Sequence, residues 1–410
     1  MGKWEEKRLS SICKVISGYA FKSEDFQENG IPVIKISNIG NKFCDLKNNL
    51  QYVDEYFLQN LDKKYIIEKD SILISLTGSH ITQPNSMVGR SCRYSGEDAI
   101  LLNQRAGRII PKQGSQQGIF LYYIMQSQWI KEYIGLVAYG AANQANISPK
   151  TIENIKVKLP DLPTQKRIAD ILSAYDDLIE NNNRRIELLE KAAQELYKEW
   201  FVRFRFPNQS KFVNGLPEGW GFSKIGLLFD TSSGGTPSRS NPQYYIDGKY
   251  DWIKTGELSD RFILETEERI TDEAIHGSSA KIVPKNSLIL AMYGATIGKM
   301  GFTTKESTCN QACCVFSPKT KLKSTFLFFW LLDNRDYIIN IGFGAAQQNL
   351  SQDLIKKIKM LKPNDNIVGE FEEKVQPFFD NIKLIMQQTQ NLKRQRDLLL
   401  PRLMSGKLEV

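Results

Sequence analysis

Few side chains in this 410-residue chain are of the kinds that do chemistry, and their spacing argues against most of it. Only two histidines occur, His80 and His276, and the six cysteines include no Cys-x-x-Cys. A zinc site and an imidazole-assisted acyl transfer therefore both lack their residues. Gly294-Ala295-Thr296-Ile297-Gly298-Lys299-Met300 approaches a phosphate-binding loop. It is one residue short between the glycines, and Met300 stands where a magnesium-binding hydroxyl belongs. Asn241-Pro242-Gln243-Tyr244 is one letter from the Asn-Pro-Pro-Tyr of amino-methyltransferases. No Gly-rich strand–turn–helix for a methyl donor precedes it, and the stretch reads as a turn. Carboxylates are plentiful but form no recurring cluster for a nuclease metal. What the chain does carry is polar, Gly-rich loops. Ser37-Asn38-Ile39-Gly40, Thr77-Gly78-Ser79-His80 and Gly89-Arg90 lie in the first half. The second half has Ser233 to Arg239, Thr255-Gly256-Glu257 and Tyr293 to Lys299. Such side chains grip phosphates and read base edges, although surface loops carry them anyway.

The elements that hold these loops come in two copies. Gly140-Ala141-Ala142-Asn143-Gln144-Ala145-Asn146-Ile147-Ser148 returns as Gly344-Ala345-Ala346-Gln347-Gln348-Asn349-Leu350-Ser351. Ile155-Lys156-Val157 corresponds to Ile358-Lys359-Met360, 203 residues on. Trp4, Ser17-Gly18 and Asp70 to Ile74 recur 216 residues later, and Asn103-Gln104 recurs as Asn310-Gln311, 207 later. Offsets that drift through small indels are those of two diverged copies of one domain with variable loops. Such a unit is too long for a solenoid repeat, and the chain is long enough for two cores.

Each copy is followed by a long amphipathic helix. Ile168, Leu172, Tyr175, Ile179, Asn182, Ile186, Leu189, Ala193, Leu196 and Trp200 alternate spacings of four and three, an unbroken heptad seam. The same register 203 residues later gives Phe371, Val375, Phe378, Ile382, Ile385, Thr389, Leu392, Arg396, Leu399 and Leu403, with polar interruptions at Thr389 and Arg396. The Pro160–Thr164 stretch offers a capping hydroxyl to the first helix, and Pro363-Asn364-Asp365 does the same for the second. Ser405-Gly406 reads as the final stop. Pro377 predicts a kink or restart in the second helix. From Asp176 to Glu199 the first carries seven acidic and four basic residues; from Lys383 to Lys407 the second carries six basic and one acidic. Opposite bias favours pairing the two with each other over self-pairing. An antiparallel pair of about 33 residues forms a rod of roughly 50 Å, which matches roughly 15 base pairs of B-DNA.

Within each copy, Ile31–Ile36, Ser71–Leu76 and Arg108–Ile110 read as strands, as do Tyr250–Lys254, Ser287–Met292 and Cys314–Phe316. One helix follows in each, over about Gly118–Tyr133 and Ser324–Ile339. Strands and helices do not alternate as in a doubly wound sheet, so the fold class is α/β of the mixed α+β kind. Hydrophobic content of 41% and charged content of 24% are ordinary for a globular protein. The longest apolar run, Phe326 to Leu332, is too short to span a bilayer, and the N-terminus lacks a signal peptide's apolar core. A cytoplasmic location with no membrane partner is expected. No cysteine has a counterpart in the other copy, which predicts buried free thiols and no shared disulfide framework. A formal net charge of +8 leans weakly toward an anionic partner.

In combination, these segments resemble a known family. Residues 140–148, Ile155 to Pro160 and the helix opening Gln165-Lys166-Arg167-Ile168-Ala169-Asp170-Ile171-Leu172 look like the specificity subunit of type I restriction–modification systems. Ser233-Gly234-Gly235-Thr236-Pro237-Ser238 and Gly294 to Lys299 are typical of its target recognition domains, and the resemblance covers the whole chain. It implies two target recognition domains at 1–159 and 206–365, and two spacer helices at 160–205 and 366–410. The helices would pair as an antiparallel coiled coil in pseudo-two-fold relation. Each domain would read one half of a split, asymmetric double-stranded DNA site. The helices would act as a ruler and dock two methyltransferase subunits, through which motor-nuclease restriction subunits join. S-adenosylmethionine, ATP and Mg would sit on those partners, with no cofactor, metal or catalytic residue on this chain. The DNA-facing positions implied are Lys22, Ser37, Asn38, Thr77, Ser79, His80 and Arg90 in the first copy. In the second they are Thr236, Ser238, Arg239, Thr255, Tyr293, Thr296 and Lys299. Partner docking would use Gln144, Gln348, Ile168, Leu172, Tyr175, Phe371, Val375 and Phe378. The elements shared by both copies would serve fold or docking more than base identity. The first copy's Ser17-Gly18-Tyr19-Ala20-Phe21-Lys22 in place of Gly-Gly-Thr-Pro-Ser implies that the two halves read different sequences. Alternatives are an orphan scaffold that binds protein, and a stand-alone nuclease.

Overall fold

The computed structural model describes residues 4–46, 48–79, 83, 86–141, 144–207, 211–343 and 349–410. It divides into two compact units, Met1–Asn181 with Gln390–Val410, and Asn182–Thr389. The division does not follow the expected limits at 159/160 and 365/366. Each long helix belongs partly to both units, because the seam residues of each half are core residues of that unit.

In the first unit a four-stranded antiparallel sheet runs Cys13–Ser17, Ala106–Pro111, Ile72–Ser75, Ser91–Arg93. Beside it Ile31–Ile34 pairs parallel with Ile100–Leu102. The second unit repeats this with Phe229–Ser233, Cys313–Pro318, Leu288–Ala291 and Met300–Thr303, extended by Arg261–Ile263. There Tyr250–Ile253 pairs parallel with Ser307–Cys309. Ile72–Ser75 and Leu288–Ala291 are buried at every residue, so both strands read as near-continuous apolar runs rather than alternating ones, with Ser75 as the one polar residue.

The repeat extends to register. Ser17 and Ile74 both face Gly107; Ser233 and Leu290, each 216 residues on, both face Cys314, 207 on. Glu5 pairs with Leu159 in the first unit, and Gly221 with Lys362 in the second. A one-residue slip would have turned every strand inside out, so equal registers mean equal cores.

Each unit has two helices where one was expected: Gly114–Gln126 and Gln128–Val137, then Ser324–Asp333 and Arg335–Phe343. Polar side chains cause both breaks. Ser127 Oγ donates to the Tyr123 carbonyl at 3.0 Å, and Asn334 Nδ2 donates to that of Trp330 at 2.9 Å. Ser127 Oγ occupies the carbonyl that its own N–H would take in a continuing helix, whereas Asn334 shares the Trp330 carbonyl with its own backbone N–H and closes that helix.

The long helices are Leu162–Phe201 and Asp365–Met404, 40 residues each. Asp161, not Thr164, caps the first: its carboxylate accepts the Thr164 N–H at 2.9 Å. Asn364 caps the second through the Ile367 N–H, also at 2.9 Å. The second helix does not restart at Pro377. Pro377 lies on the exposed face, while Val375 and Phe379 on either side are buried, and this packing outweighs the lost hydrogen bond. Every seam position of both helices is buried or half-buried. In the first unit Ile168 and Leu172 share a core with Leu399 and Leu403, and in the second Tyr197 and Trp200 meet Phe371. Low numbers on one helix meet high numbers on the other, so the segments run antiparallel within each unit. Thr389 donates to the Ile385 carbonyl, and Arg396 pairs with Asp176. Glu372 is buried on the C-terminal helix beside the first turn of Ser324–Asp333.

All six cysteines are free, and five are buried as expected. Cys44 is only half-buried, held at an isolated bridge with Ile39. Among the described residues no helix is long and apolar enough to cross a membrane, and no group of three or more His, Cys, Asp or Glu side chains is placed to hold a metal.

Candidate nucleic-acid interface

Sheet direction decides where the loops go. In the first unit the strands ending at Ser17 and Ser75 and those starting at Ala106 and Ser91 have these ends on the same side of one antiparallel sheet. The loops at 18–22, 76–79, 86–90 and 103–105 therefore emerge together. The Asn103 N–H donates to the Ile34 carbonyl at 3.0 Å, which adds the segment after Ile34. Gln144–Asn146 pairs with Thr77–Gly78 and adds the Tyr139–Ala141 strand. The second unit repeats the gathering with 234–240, 292–299 and 310–312. Asn310 N–H to the Ile253 carbonyl adds Thr255–Glu257, and Leu350 N–H to the Met292 carbonyl adds the Asn349 end of the repeated motif. All the expected reading loops share one end of their own unit.

The letters common to both copies build this frame. A Cβ on Gly18 would lie 2.3 Å from the Asn103 carbonyl oxygen, and one on Gly234 would lie 1.7 Å from that of Cys309. Only glycine lets these two backbones approach. Asn103 and Asn310 accept the turn-closing N–H groups of Ala106 and Cys313 on their carbonyls. Ser148 and Ser351 cap short helices, each accepting an N–H three residues on at 3.1 Å. Ile147 N–H to the Leu76 carbonyl matches the Leu350–Met292 bond.

Between these fixed points the copies differ. In the first, Tyr19, Phe21 and Phe57 form an edge-to-face ring cluster beneath the exposed Lys22. In the second, Trp252 Nε1 donates to the Gly235 carbonyl at 3.0 Å, and the Arg239 guanidinium lies over Tyr245 and Trp252 at 4.3 and 5.1 Å. Arg239 is also bidentate to Glu268. That pairing, with help from Lys254, holds the Glu268 carboxyl down at about 2 despite partial burial.

Several expected DNA contacts are thus occupied by the protein itself. Asn38 is fully buried, donating to the Asp45 and Asn48 carbonyls and accepting from the Lys35 N–H, so it cannot reach a base. Thr77 is buried and donates to Asn146 at 3.0 Å. Arg239 is neutralised by Glu268, and Lys299, though exposed, pairs with Asp260 at 3.0 Å. Thr236 donates to Gln311 and Ser238 pairs with Ser240, both on the surface. Ser37 and Tyr293 are exposed; Ser79, Arg90, Thr255 and Thr296 are half-buried. His80 and Gln348 lie outside the described residues. Arg105, exposed at the tip of the Asn103 turn, is a position that sequence reading passed over. The second copy has Ala312 there, and that contrast beside a repeated Asn-Gln was the available signal.

The type I restriction modification DNA specificity domain model matches residues 1–191 and again residues 217–394. The chain belongs to that family. It is 25% identical over 423 residues to the type I restriction enzyme MjaIX specificity subunit of Methanocaldococcus jannaschii, covering 99% of this chain and 94% of that protein. It is 24% identical to the HindI specificity subunit of Haemophilus influenzae, with both chains fully covered. Its fold is that of a type I restriction–modification S subunit from M. genitalium, with a TM-score of 0.64 and 16% identity over 98% of this chain and 96% of that one. The protein is a specificity subunit with two DNA specificity domains, a non-catalytic recognition component.

For this specificity subunit, the docking positions taken from the helix seam need correction. Ile168, Leu172, Phe371 and Val375 are at most 1% exposed and sit in their own unit's core, so no partner surface reaches them. Tyr175 and Phe378 are half-buried, and Gln144 alone of the described set is fully exposed. Heptad spacing marks the face that packs, which is the opposite of the face left for docking.

Proposed function

We propose that each specificity domain reads one half of a split, asymmetric double-stranded DNA site through its gathered loops. Methyltransferase subunits dock on outward-facing helix surfaces, and motor-nuclease subunits join through them. The work would be done in the cytoplasm. Methyl transfer from S-adenosylmethionine and ATP- and Mg-dependent translocation and cleavage then belong to the partners. One observation carries the reading: in both copies the shared residues fix the frame while exposed polar residues at the same end differ. That is the arrangement expected of two readers of different sequences. The helices set the gap between half-sites.

The test is the methylated motif of the complex assembled with its methyltransferase. Replacing residues 1–159 by the first domain of another specificity subunit should change one half of that motif and leave the other unchanged. Simultaneous change of both halves would refute independent reading. Methylation or cleavage by the purified chain alone would refute the division of labour.

A further inference from the structure

One place differs between the copies in chemical kind. In the first unit, Asp176 of the central helix and Arg396 of the C-terminal helix form an ion pair whose side chains keep only 8% and 5% of their exposure. Tyr123 donates to Asp176 at 2.7 Å, and Asp397 accepts from Arg396 Nε at 3.0 Å. The seam offset of 203 residues takes Asp176 to Phe379, and takes Arg396 back to Ala193. In the second unit these two line one cavity of about 390 Å³, and Phe379 packs edge-on to Phe302 and Phe329. The same station is ionic in one unit and large-against-small apolar in the other.

Each helix therefore carries one member of each pair. The central helix has the acid and the alanine; the C-terminal helix has the phenylalanine and the arginine. Two central helices laid antiparallel in this register would bury Asp176 against Ala193. Two C-terminal helices would bury Arg396 against Phe379. Tyr123 would stay with Asp176 and Asp397 with Arg396, but the buried Asp176–Arg396 pair itself would be broken, which is costly in the interior. The remaining seam residues are largely apolar in both helices and discriminate little. The surface charge bias acts in the same sense, but salt screens it.

We propose that Asp176 and Arg396, set against Ala193 and Phe379, select the helix partner: central with C-terminal is accepted, and like-with-like pairing between two copies of the chain is rejected. This does not depend on which DNA is read.

The experiment uses full-length chain in two tagged forms, unfolded together, refolded at high concentration and assayed by cross-capture and size. A193R/F379D places an ion pair in both units, with the cavity beside Ala193 giving room for the new side chain. D176F/R396A makes both stations apolar. Either change leaves every pairing, own or exchanged, equally satisfied. Wild type should refold with little cross-capture, whereas both variants should exchange roughly a hundredfold more readily. The contrast should persist in high salt. The reversed pair D176R/R396D should behave as wild type, since like-with-like pairing stays mismatched. Wild type exchanging as readily as the variants would overturn the proposal. So would a variant that refolds with native circular dichroism and does not exchange.

Discussion

Glu372 offers a sharp test of how the second unit is held together. It is 2% exposed, at the first turn of Ser324–Asp333, where the polar groups around it offset only part of the cost of burial. Burial pushes its pKa from 4.5 up to about 7, with Lys323, the Thr325 hydroxyl and the Phe326 N–H offsetting only part of that. An unfolded chain releases this proton near its ordinary value, while the folded protein holds it. Stability from this group is therefore fully present below about pH 4.5, falls as pH rises and is lost above about pH 7. The gap between the two values corresponds to about 3 kcal/mol. Glu372→Gln keeps the shape and removes the charge. It should leave stability near pH 5 within about 1 kcal/mol of wild type and raise it by up to about 3 kcal/mol near pH 8. In a unit of this size that is a rise of about 6–12 °C in the midpoint of its thermal transition. Denaturant titrations across this pH range on both proteins supply the comparison. A difference that does not change with pH would refute a carboxyl whose proton is held by burial.

Other substitutions test the frame and the reading loops. Gly234→Ala, with its Cβ 1.7 Å from a carbonyl oxygen, should cost more than about 4 kcal/mol in the second unit. Gly256→Ala, with nothing within 4 Å of its Cβ, should stay within about 0.5 kcal/mol by the same thermal melts. Ser148→Ala and Ser351→Ala should each cost about 1 kcal/mol of stability as lost helix caps, measured by denaturant unfolding. Arg105→Ala should weaken DNA binding by the assembled complex and reduce the slope of log affinity against log salt by about 0.9. Arg239→Ala, whose charge Glu268 already answers, should leave that slope unchanged.

The frame was legible in the sequence because it was written twice. The matching Ser-Gly, Asn-Gln and Asn-x-Ser elements, expected to serve fold or docking, sit at the close approaches, turns and caps. The seams likewise marked positions that are all buried or half-buried, although Ala169, Tyr197, Phe201, Val368 and Phe379 join the cores from outside them. The reading side chains were less legible, because a loop residue's type does not disclose its partner. Asn38 was expected to face DNA and instead ties its own loop together, and Glu268, 29 residues from Arg239, takes that arginine's charge. Helix breaks at Ser127 and Asn334 were missed for a similar reason: a serine or asparagine becomes a breaker only when its side chain takes a carbonyl of the turn before it.

The first unit is assembled from residues 1–181 and 390–410, and this has a consequence during synthesis. Leu403 lies in the same core as Leu9 and Ile168, and Trp4 lies against Gly406. The 208 residues from 182 to 389 must be made between the two parts, which takes roughly 10–40 s at ordinary elongation rates. Throughout that interval Asp176 lacks Arg396 and the core around Leu9 and Ile168 lacks Leu403, so the half-built unit presents an apolar stripe to chaperones. A message broken anywhere before codon 390 leaves the first unit without its C-terminal segment. A first unit that cannot close until the helix at 390–404 has been translated ties its folding to synthesis of both recognition domains.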